Sequence, residues 1–173
     1  VGADHFTHHF ATQPFDFLNV LCWGTGKMMV AHTTSKKALS TRVLLVQIWV
    51  KPFGFMELLV VDQGPEFAGE EFADYFREQG VLVHFTDGQS PWQNGSTERA
   101  GGAFKDVLDK VILDATIVTT EEYLEAADLL TAQRNARADR SGFSPDQRSL
   151  GNNVRLPGHM LADDRIDADL LGA

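Results

Sequence analysis

The chain has 173 residues, of which 43% are hydrophobic and 23% charged, as is typical of one globular domain with a small appendage and not of disordered or collagen-like chains. Its formal net charge of -9 argues against a general nucleic-acid binder, and no apolar run is long enough to span a membrane. A single cysteine excludes an internal disulfide framework and a cysteine-based zinc cluster within this chain, and it favours a reducing compartment.

The first third of the chain is rich in predicted strands. Val1 is not an initiator methionine and no basic-then-apolar leader follows it, so we expect a piece of a longer precursor. Residues 1–6 predict a short strand. Residues 17–23 and 28–32 are apolar, β-compatible runs, and the glycine-containing stretch 24–27 between them predicts a hairpin turn.

A helix and a buried strand follow. Ser35 is a suitable cap for a helix that Pro52 should stop. Its predicted buried positions follow helical spacing: Leu39, Val43, Val46 and Val50. Residues 58–61 are a continuous apolar run, which is typical of a strand covered on both faces, and Asp62 ends it.

The rest of the chain alternates helix and strand. We predict a helix over 70–79, a strand over 81–85, a long loop over 86–95, a helix over 96–113 and a further helix that begins at the capping box Thr119-x-x-Glu122. This order predicts an α/β fold with a five-stranded mixed sheet, three antiparallel strands and then two parallel ones, with helices on both faces.

Three carboxylates are candidates to meet at one edge of this sheet. Asp62 ends a buried strand, where ligand sites of α/β sheets tend to lie, Glu98 lies 36 positions further on in the first turn of the long helix, and Asp4 lies on the first strand. Like charges about 4 Å apart repel by roughly 4 kcal/mol at an effective dielectric near 20, so a cation would stabilise such a cluster. The alternative is that Asp62 only starts a turn and Glu98 only favours a helix N-terminus.

Two motifs surround these acids, in order and at a fixed spacing. They are Asp62-Gln63-Gly64-Pro65-Glu66-Phe67 and Pro91-x-x-Asn94-Gly95-x-x-Glu98-Arg99. Together they resemble the catalytic core of retroviral and LTR-retrotransposon integrases. Further along, Gly142-Phe143-Ser144-Pro145, Leu150-Gly151 and Arg155-Leu156-Pro157-Gly158 are similar to the segment that trails the core in retrotransposon polyproteins. The resemblance divides the chain into a catalytic core over 1–140 and a C-terminal extension over 141–173.

The resemblance implies an RNase H-like fold and a polynucleotidyl transferase that processes the 3′ ends of element DNA and joins them to target DNA. Asp4, Asp62 and Glu98 would be both the catalytic residues and the ligands of two Mg²⁺ or Mn²⁺ ions. The implied partners are double-stranded element DNA ends, target DNA and further copies of the chain, with no membrane involved. The implied place of action is the nucleus, after assembly in the cytoplasm.

Three neighbouring residues would contact DNA by the same resemblance, and each has a structural alternative. Asn94 is also suited to cap the long helix. Trp92 can instead pack against the domain, and Lys105, two helical turns after Glu98, can be an ordinary surface lysine. Asp16 also precedes Asp62, but it stands at the start of the second predicted strand, so we assign the first acid to Asp4.

Several features depart from the family pattern or compete with it. Gln63 replaces the usual Asn, and Gly101 and Gly102 interrupt the helix just beyond Glu98, which we expect to loosen that face. The zinc-binding His/Cys domain that usually precedes the core is missing from this sequence, and we expect His5, His8 and His9 to lie in a solvated loop rather than bind zinc.

Two alternatives remain open. One is a related nuclease or transposase that cuts DNA without joining it. The other is a decayed or co-opted core that serves as an interaction module, which the acidity of the chain favours and its intact acids disfavour.

Overall fold

The computed structural model describes residues 1–67, 69–86 and 94–152. Five strands form one sheet in the order β3-β2-β1-β4-β5, and the predicted five-stranded mixed sheet is confirmed. In chain order the elements are β1 (Gly2–Phe10), β2 (Gln13–Leu21), β3 (Met28–Thr33), α1 (Ala38–Leu45), a π-helical turn (Val46–Val50), α2 (Lys51–Phe53), β4 (Leu58–Val61), α3 (Glu70–Glu78), β5 (Leu82–Phe85), α4 (Gly95–Asp114), α5 (Thr120–Ala136) and α6 (Pro145–Leu150).

The sheet is antiparallel on one side of β1 and parallel on the other. β1 pairs with β2 and β2 with β3 as antiparallel hairpins, whereas β4 runs parallel to both β1 and β5. The first hairpin turns at Ala11 and Thr12, whose φ angles of 47° and 69° are those of a two-residue primed turn. Both β1 and β2 therefore extend to this turn, and β1 is longer than the predicted strand over 1–6.

Helices cover both faces of the sheet. On one face, α4 and α5 enclose an aromatic core that includes Phe6, Phe17 and Tyr123. On the other face, α1 and α3 enclose a second core that includes Leu59 and Phe72. Within the part of the chain that the structure describes, no helix is both long and apolar enough to cross a membrane.

The predicted face of the first helix is only half correct. Val46 and Val50 pack against the core, but Leu39 and Val43 are exposed. The buried residues are Thr41, Leu45 and Trp49, which follow one another at intervals of four. Leu39 and Val43 precede the π-helical turn that carries Trp49, and the inward position between them belongs to the polar Thr41, whose hydroxyl contacts His5 on β1 at 3.0 Å. The helical path also continues past Pro52, as α2, and ends at Gly54, whose φ is 82°.

The glycines of α4 do not interrupt it, contrary to the expectation that they loosen the helix. The helix is continuous from Gly95 to Asp114, and Gly101 is buried against the sheet. A Cβ atom at Gly101 would lie 3.4 Å from Phe6 and 3.4 Å from the amide nitrogen of Asn19. The missing side chain therefore lets α4 approach the sheet closely.

Gly102 offers a direct test of this distinction. A Cβ atom at Gly102 would meet no heavy atom within 4 Å, so Gly102→Ala should stabilise the fold by about 0.5–1 kcal/mol through helix propensity alone. Urea unfolding of the two alanine variants checks this. Gly101→Ala should raise the free energy of unfolding by less, because its methyl group would press on Phe6. Equal gains in stability at both positions would contradict the close approach of α4 to the sheet.

Candidate active site

The register of β1 and β4 places the first two acids side by side. Gly2 is the partner of Val60 in this parallel pair. Two residues further along the two strands are Asp4 and Asp62, so the same register sets them next to each other. Asp4 lies within β1, and Asp62 is the first residue after β4.

The electrostatics of Asp4 show that further acids surround it. Burial and the negative charges of Asp62, Glu98 and Glu66 together raise the pKa of Asp4 to about 6, while a backbone hydrogen bond at His5 acts in the opposite direction. Within the described ranges, no lysine or arginine forms an ion pair with any of these four carboxylates. The site is therefore a concentration of uncompensated negative charge at the end of β4.

The donor chemistry of this cluster fits a hard divalent cation. Carboxylate oxygens are the ligands that Mg²⁺ and Mn²⁺ prefer, and the mutual repulsion that acts on Asp4 is the kind that a cation relieves. Among the described residues, no three His, Cys, Asp or Glu side chains are arranged closely enough to hold one ion in this conformation. The other acids are thus close enough for their charges to act on Asp4, but the carboxylates do not form a closed set of ligands in this conformation.

The first turn of α4, which carries Glu98, is fixed to the sheet by a set of polar contacts around Thr97. The side-chain amide of Asn19 donates to the Thr97 carbonyl at 2.9 Å, and the indole N–H of Trp23 donates to the Thr97 hydroxyl at 3.1 Å. Asn19 faces Asp4 across the β1–β2 pair. These contacts hold the residue before Glu98 against β2, which pairs with the strand that carries Asp4.

Gly2 permits this close approach of helix and strand. A Cβ atom at Gly2 would lie 2.1 Å from the Thr97 hydroxyl and 2.7 Å from the side-chain oxygen of Asn94, which is not physically possible without displacing the helix. Sequence analysis missed Gly2, Asn19 and Thr97. Asn19 carried a signal, since it is a polar residue inside the apolar run 17–23.

Asn94 stands at the N-cap of α4, but the predicted side-chain cap is wrong. Its side chain makes no capping hydrogen bond; its amide nitrogen donates instead to the carbonyl of Ala3 at 3.1 Å, and the residue is fully buried. Because Ala3 directly precedes Asp4, Asn94 ties the start of the helix to the strand that bears the first acid. A contact of Asn94 with DNA stays a prediction.

The other site residues are placed as follows. The Thr86 hydroxyl, which follows β5, donates to a carboxylate oxygen of Asp62 at 2.7 Å and so orients that side chain. Lys105 is half-buried, with its ammonium 5.8 Å from the centre of the Phe6 ring. Trp92 lies outside the described residues.

Asp16 lies further along the sheet. It faces Thr7, three residues along β1 from Asp4, which is roughly 10 Å at about 3.3 Å per residue. Its carboxylate accepts hydrogen bonds from the Thr7 hydroxyl at 2.5 Å and from Lys36 at 2.8 Å. Partial burial raises the pKa of Asp16, but these hydrogen bonds outweigh it and the net pKa is lowered. Asp16 thus has its own cationic partner.

The predicted loop around the N-terminal histidines is wrong, because all three lie on β1. His8 is buried, with its ring nitrogens 2.9 Å from the Tyr123 hydroxyl and 3.0 Å from a carboxylate oxygen of Asp109. His5 contacts the Thr41 hydroxyl at 3.0 Å, and only His9 is exposed. Strand alternation points His8 inward, where helix residues satisfy both of its nitrogens.

No protein-family model matches the chain. The Pro-Pol polyprotein of feline foamy virus is 26% identical over 101 residues, which is 58% of this chain and 8% of the polyprotein. The transposase for insertion sequence element IS1086 of Cupriavidus metallidurans is 35% identical over 77 residues, 44% of this chain and 22% of the transposase. The chain thus matches less than a quarter of the length of each of these relatives.

Solved structures give the fold. The HTLV-2 integrase catalytic core domain in complex with magnesium superimposes with a TM-score of 0.70 at 17% identity, covering 86% of this chain and 93% of that one. The BIV integrase catalytic core domain gives a TM-score of 0.65 at 19% identity, covering 87% and 93%. The fold of the chain is therefore that of retroviral integrase catalytic core domains, and the fold that the motif resemblance implied is confirmed.

Proposed function

We propose that this chain is the catalytic core of a retroelement integrase, which processes 3′ ends of element DNA and transfers them to target DNA with the help of divalent metal ions. The observation that carries the proposal is the β1–β4 register, which sets Asp4 beside Asp62, with the first turn of α4 fixed against β1 by Asn94. The foamy virus Pro-Pol polyproteins and the IS1086 transposase, both similar to this chain, favour the same class of reaction.

The side chains of the site have distinct roles in this proposal. Asp4, Asp62 and Glu98 would hold two Mg²⁺ or Mn²⁺ ions, which when bound would activate water or a 3′-hydroxyl and stabilise the departing oxygen of the phosphodiester. Thr86 orients Asp62 through its hydrogen bond. Asn94 ties the helix that carries Glu98 to β1, and Thr97 ties it to β2.

The acidity of the chain constrains how DNA binds. With 15 basic residues against 24 acidic ones, few phosphates can be neutralised, so we propose that other copies or flanking domains supply most of the affinity for element ends and target DNA. Solved relatives include dimeric and trimeric HTLV-2 cores and an intasome of simian T-cell lymphotropic virus, which supports a homo-oligomer. Action on chromosomal DNA implies the nucleus as the place of reaction, after assembly in the cytoplasm.

A strand-transfer assay tests the proposal and its rival. The chain is incubated with Mn²⁺, a target duplex and either blunt or pre-cut element-like duplex ends. Joined products from pre-cut ends are expected. Cleavage without joining would identify a nuclease instead. If the chain gives no more product than Asp62→Asn, even at protein and duplex concentrations high enough to offset its weak DNA affinity, the co-opted interaction module is favoured.

Metal binding should also raise the thermal stability of the chain. Millimolar Mn²⁺ should raise the melting temperature by several degrees at pH 7.5, because the ion relieves the repulsion among Asp4, Asp62 and Glu98, and Asp62→Asn should abolish the gain. The raised pKa of Asp4 means that its proton is retained in the fold up to about pH 6, so the metal-dependent gain should shrink as the pH falls through 6. Calorimetry with and without metal measures both effects; identical melting temperatures would contradict a shared site.

A further inference from the structure

A second feature of the fold lies away from the acids. A cleft of about 850 Å³ lies between α4, α5 and the segment that carries α6. Apolar side chains from three elements line it: Phe104 and Val107 from α4, Leu130 from α5 and Pro145 from α6. Val107 is 42% exposed, whereas Phe104 and Leu130 are buried, so Val107 is the part of this apolar lining that is open to solvent.

The same cleft gathers positive charge in a chain that is otherwise acidic. All four basic residues between positions 116 and 152 line it, namely Arg134, Arg137, Arg140 and Arg148. Asp139 is the one acid in the lining, so the lining carries a net charge of +3, whereas the whole chain carries -9. Such a local reversal of sign favours an acidic occupant.

Two of these arginines are engaged and two are available. Arg134 donates to the Gly26 carbonyl at 2.9 Å, and Arg148 is paired with Asp139. Arg137 and Arg140 are exposed, and within the described ranges neither has an acidic partner. The cleft therefore combines an apolar floor with two free guanidinium groups at its rim.

The chain itself contains a segment with the complementary chemistry. Residues 161–171 read Leu-Ala-Asp-Asp-Arg-Ile-Asp-Ala-Asp-Leu-Leu, with four aspartates and one arginine for a net charge of -3, and with four large apolar residues. The segment begins nine positions after Asn152, and nine extended residues reach up to about 30 Å. Since Arg148 of α6 already lines the cleft, the connection is long enough.

We propose that residues 161–171 bind in the cleft between α4, α5 and α6 of the same chain, with their aspartates on Arg137 and Arg140 and their apolar residues on Val107. An occupant in the same chain has an effective concentration in the millimolar range, so weak individual contacts suffice. A DNA backbone would use the guanidinium groups but would leave the apolar floor uncovered, which is why a mixed acidic and apolar segment fits better. Binding would also hide the basic rim from other anionic partners.

Hydrogen exchange of the full chain, followed by mass spectrometry, tests this directly. The amides of residues 161–171 should exchange about tenfold more slowly than those of a synthetic peptide of the same sequence. The double variant Arg137→Gln/Arg140→Gln should lose this protection, as should the wild-type chain in 0.5 M NaCl, because both weaken charge pairing. The matched control Lys51→Gln/Lys110→Gln removes two exposed positive charges elsewhere and should keep it.

Four results would overturn the proposal. Exchange of 161–171 at the rate of the free peptide would show that the segment does not bind. Protection that survives Arg137→Gln/Arg140→Gln would show that it binds elsewhere. Protection that appears only at high protein concentration would assign the cleft to the segment of a second copy. If a short DNA duplex slows exchange around 134–148 while 161–171 stays unprotected, the cleft would instead be a phosphate site.

Discussion

Asp4→Asn is expected to eliminate metal-dependent DNA cleavage, whereas Asp16→Asn should leave it nearly intact. A metal ion supplies several kcal/mol of transition-state stabilisation, and each 1.36 kcal/mol is a factor of ten, so a site that loses one ligand should lose about 10³-fold or more in rate. Single-turnover cleavage of a labelled duplex in Mn²⁺ measures both variants. The two substitutions are matched, because each replaces one strand aspartate by its isosteric amide.

The structure gives the reason for the contrast between the two aspartates. Asp4 feels the charges of Asp62 and Glu98, while Asp16 is held by Lys36 and Thr7. Removing the Asp16 charge frees Lys36 at the surface, where exposed ion pairs contribute about 0–1 kcal/mol. Equal losses of cleavage rate in both variants would show that the assignment of the first acid is wrong. Full activity of Asp4→Asn would show that Asp4 is not a catalytic residue.

The fold could be predicted because its signals are local. The apolar run at 58–61, the capping box at Thr119 and the aromatic face of α3 each define an element without reference to the rest of the chain. The first helix was half wrong for an equally physical reason. Its predicted face began with the apolar Leu39 and Val43, whereas the inward position between them belongs to the polar Thr41, which contacts His5 on β1.

The candidate site was only half visible in the sequence. Asp62 and Glu98 lie in recognisable motifs, but the residues that hold them in place act across the sheet. Asn19 reaches Thr97 over 78 positions, and Asn94 reaches Ala3 over 91. Such contacts depend on which strands are neighbours in the sheet. In the sequence, the one local indication of them is a polar residue within an apolar strand, as at Asn19.

Long-range pairing also accounts for the attachment of α6. Lys27, which the sequence indicated only as part of a hairpin turn, forms an ion pair with Asp146, 119 positions away, and both side chains are buried. Ser144 caps the same helix through a capping box with Gln147. A helix in the region 141–173, which we expected to follow the core as an extension, is thus joined to the β2–β3 hairpin.

Breaking this buried pair should be the most destabilising single change outside the aromatic cores. Asp146→Ala would leave the Lys27 ammonium buried without its partner, and such losses cost about 3–5 kcal/mol, or a melting temperature lower by roughly 10 °C in a domain of this size. The control is the exposed pair Arg77–Asp74, where Asp74→Ala should cost under about 1 kcal/mol. The double variant Lys27→Met/Asp146→Leu should recover much of the loss, because it removes both buried charges together. A double variant as unstable as Asp146→Ala would show that α6 is held by its shape and caps rather than by the charge of Lys27.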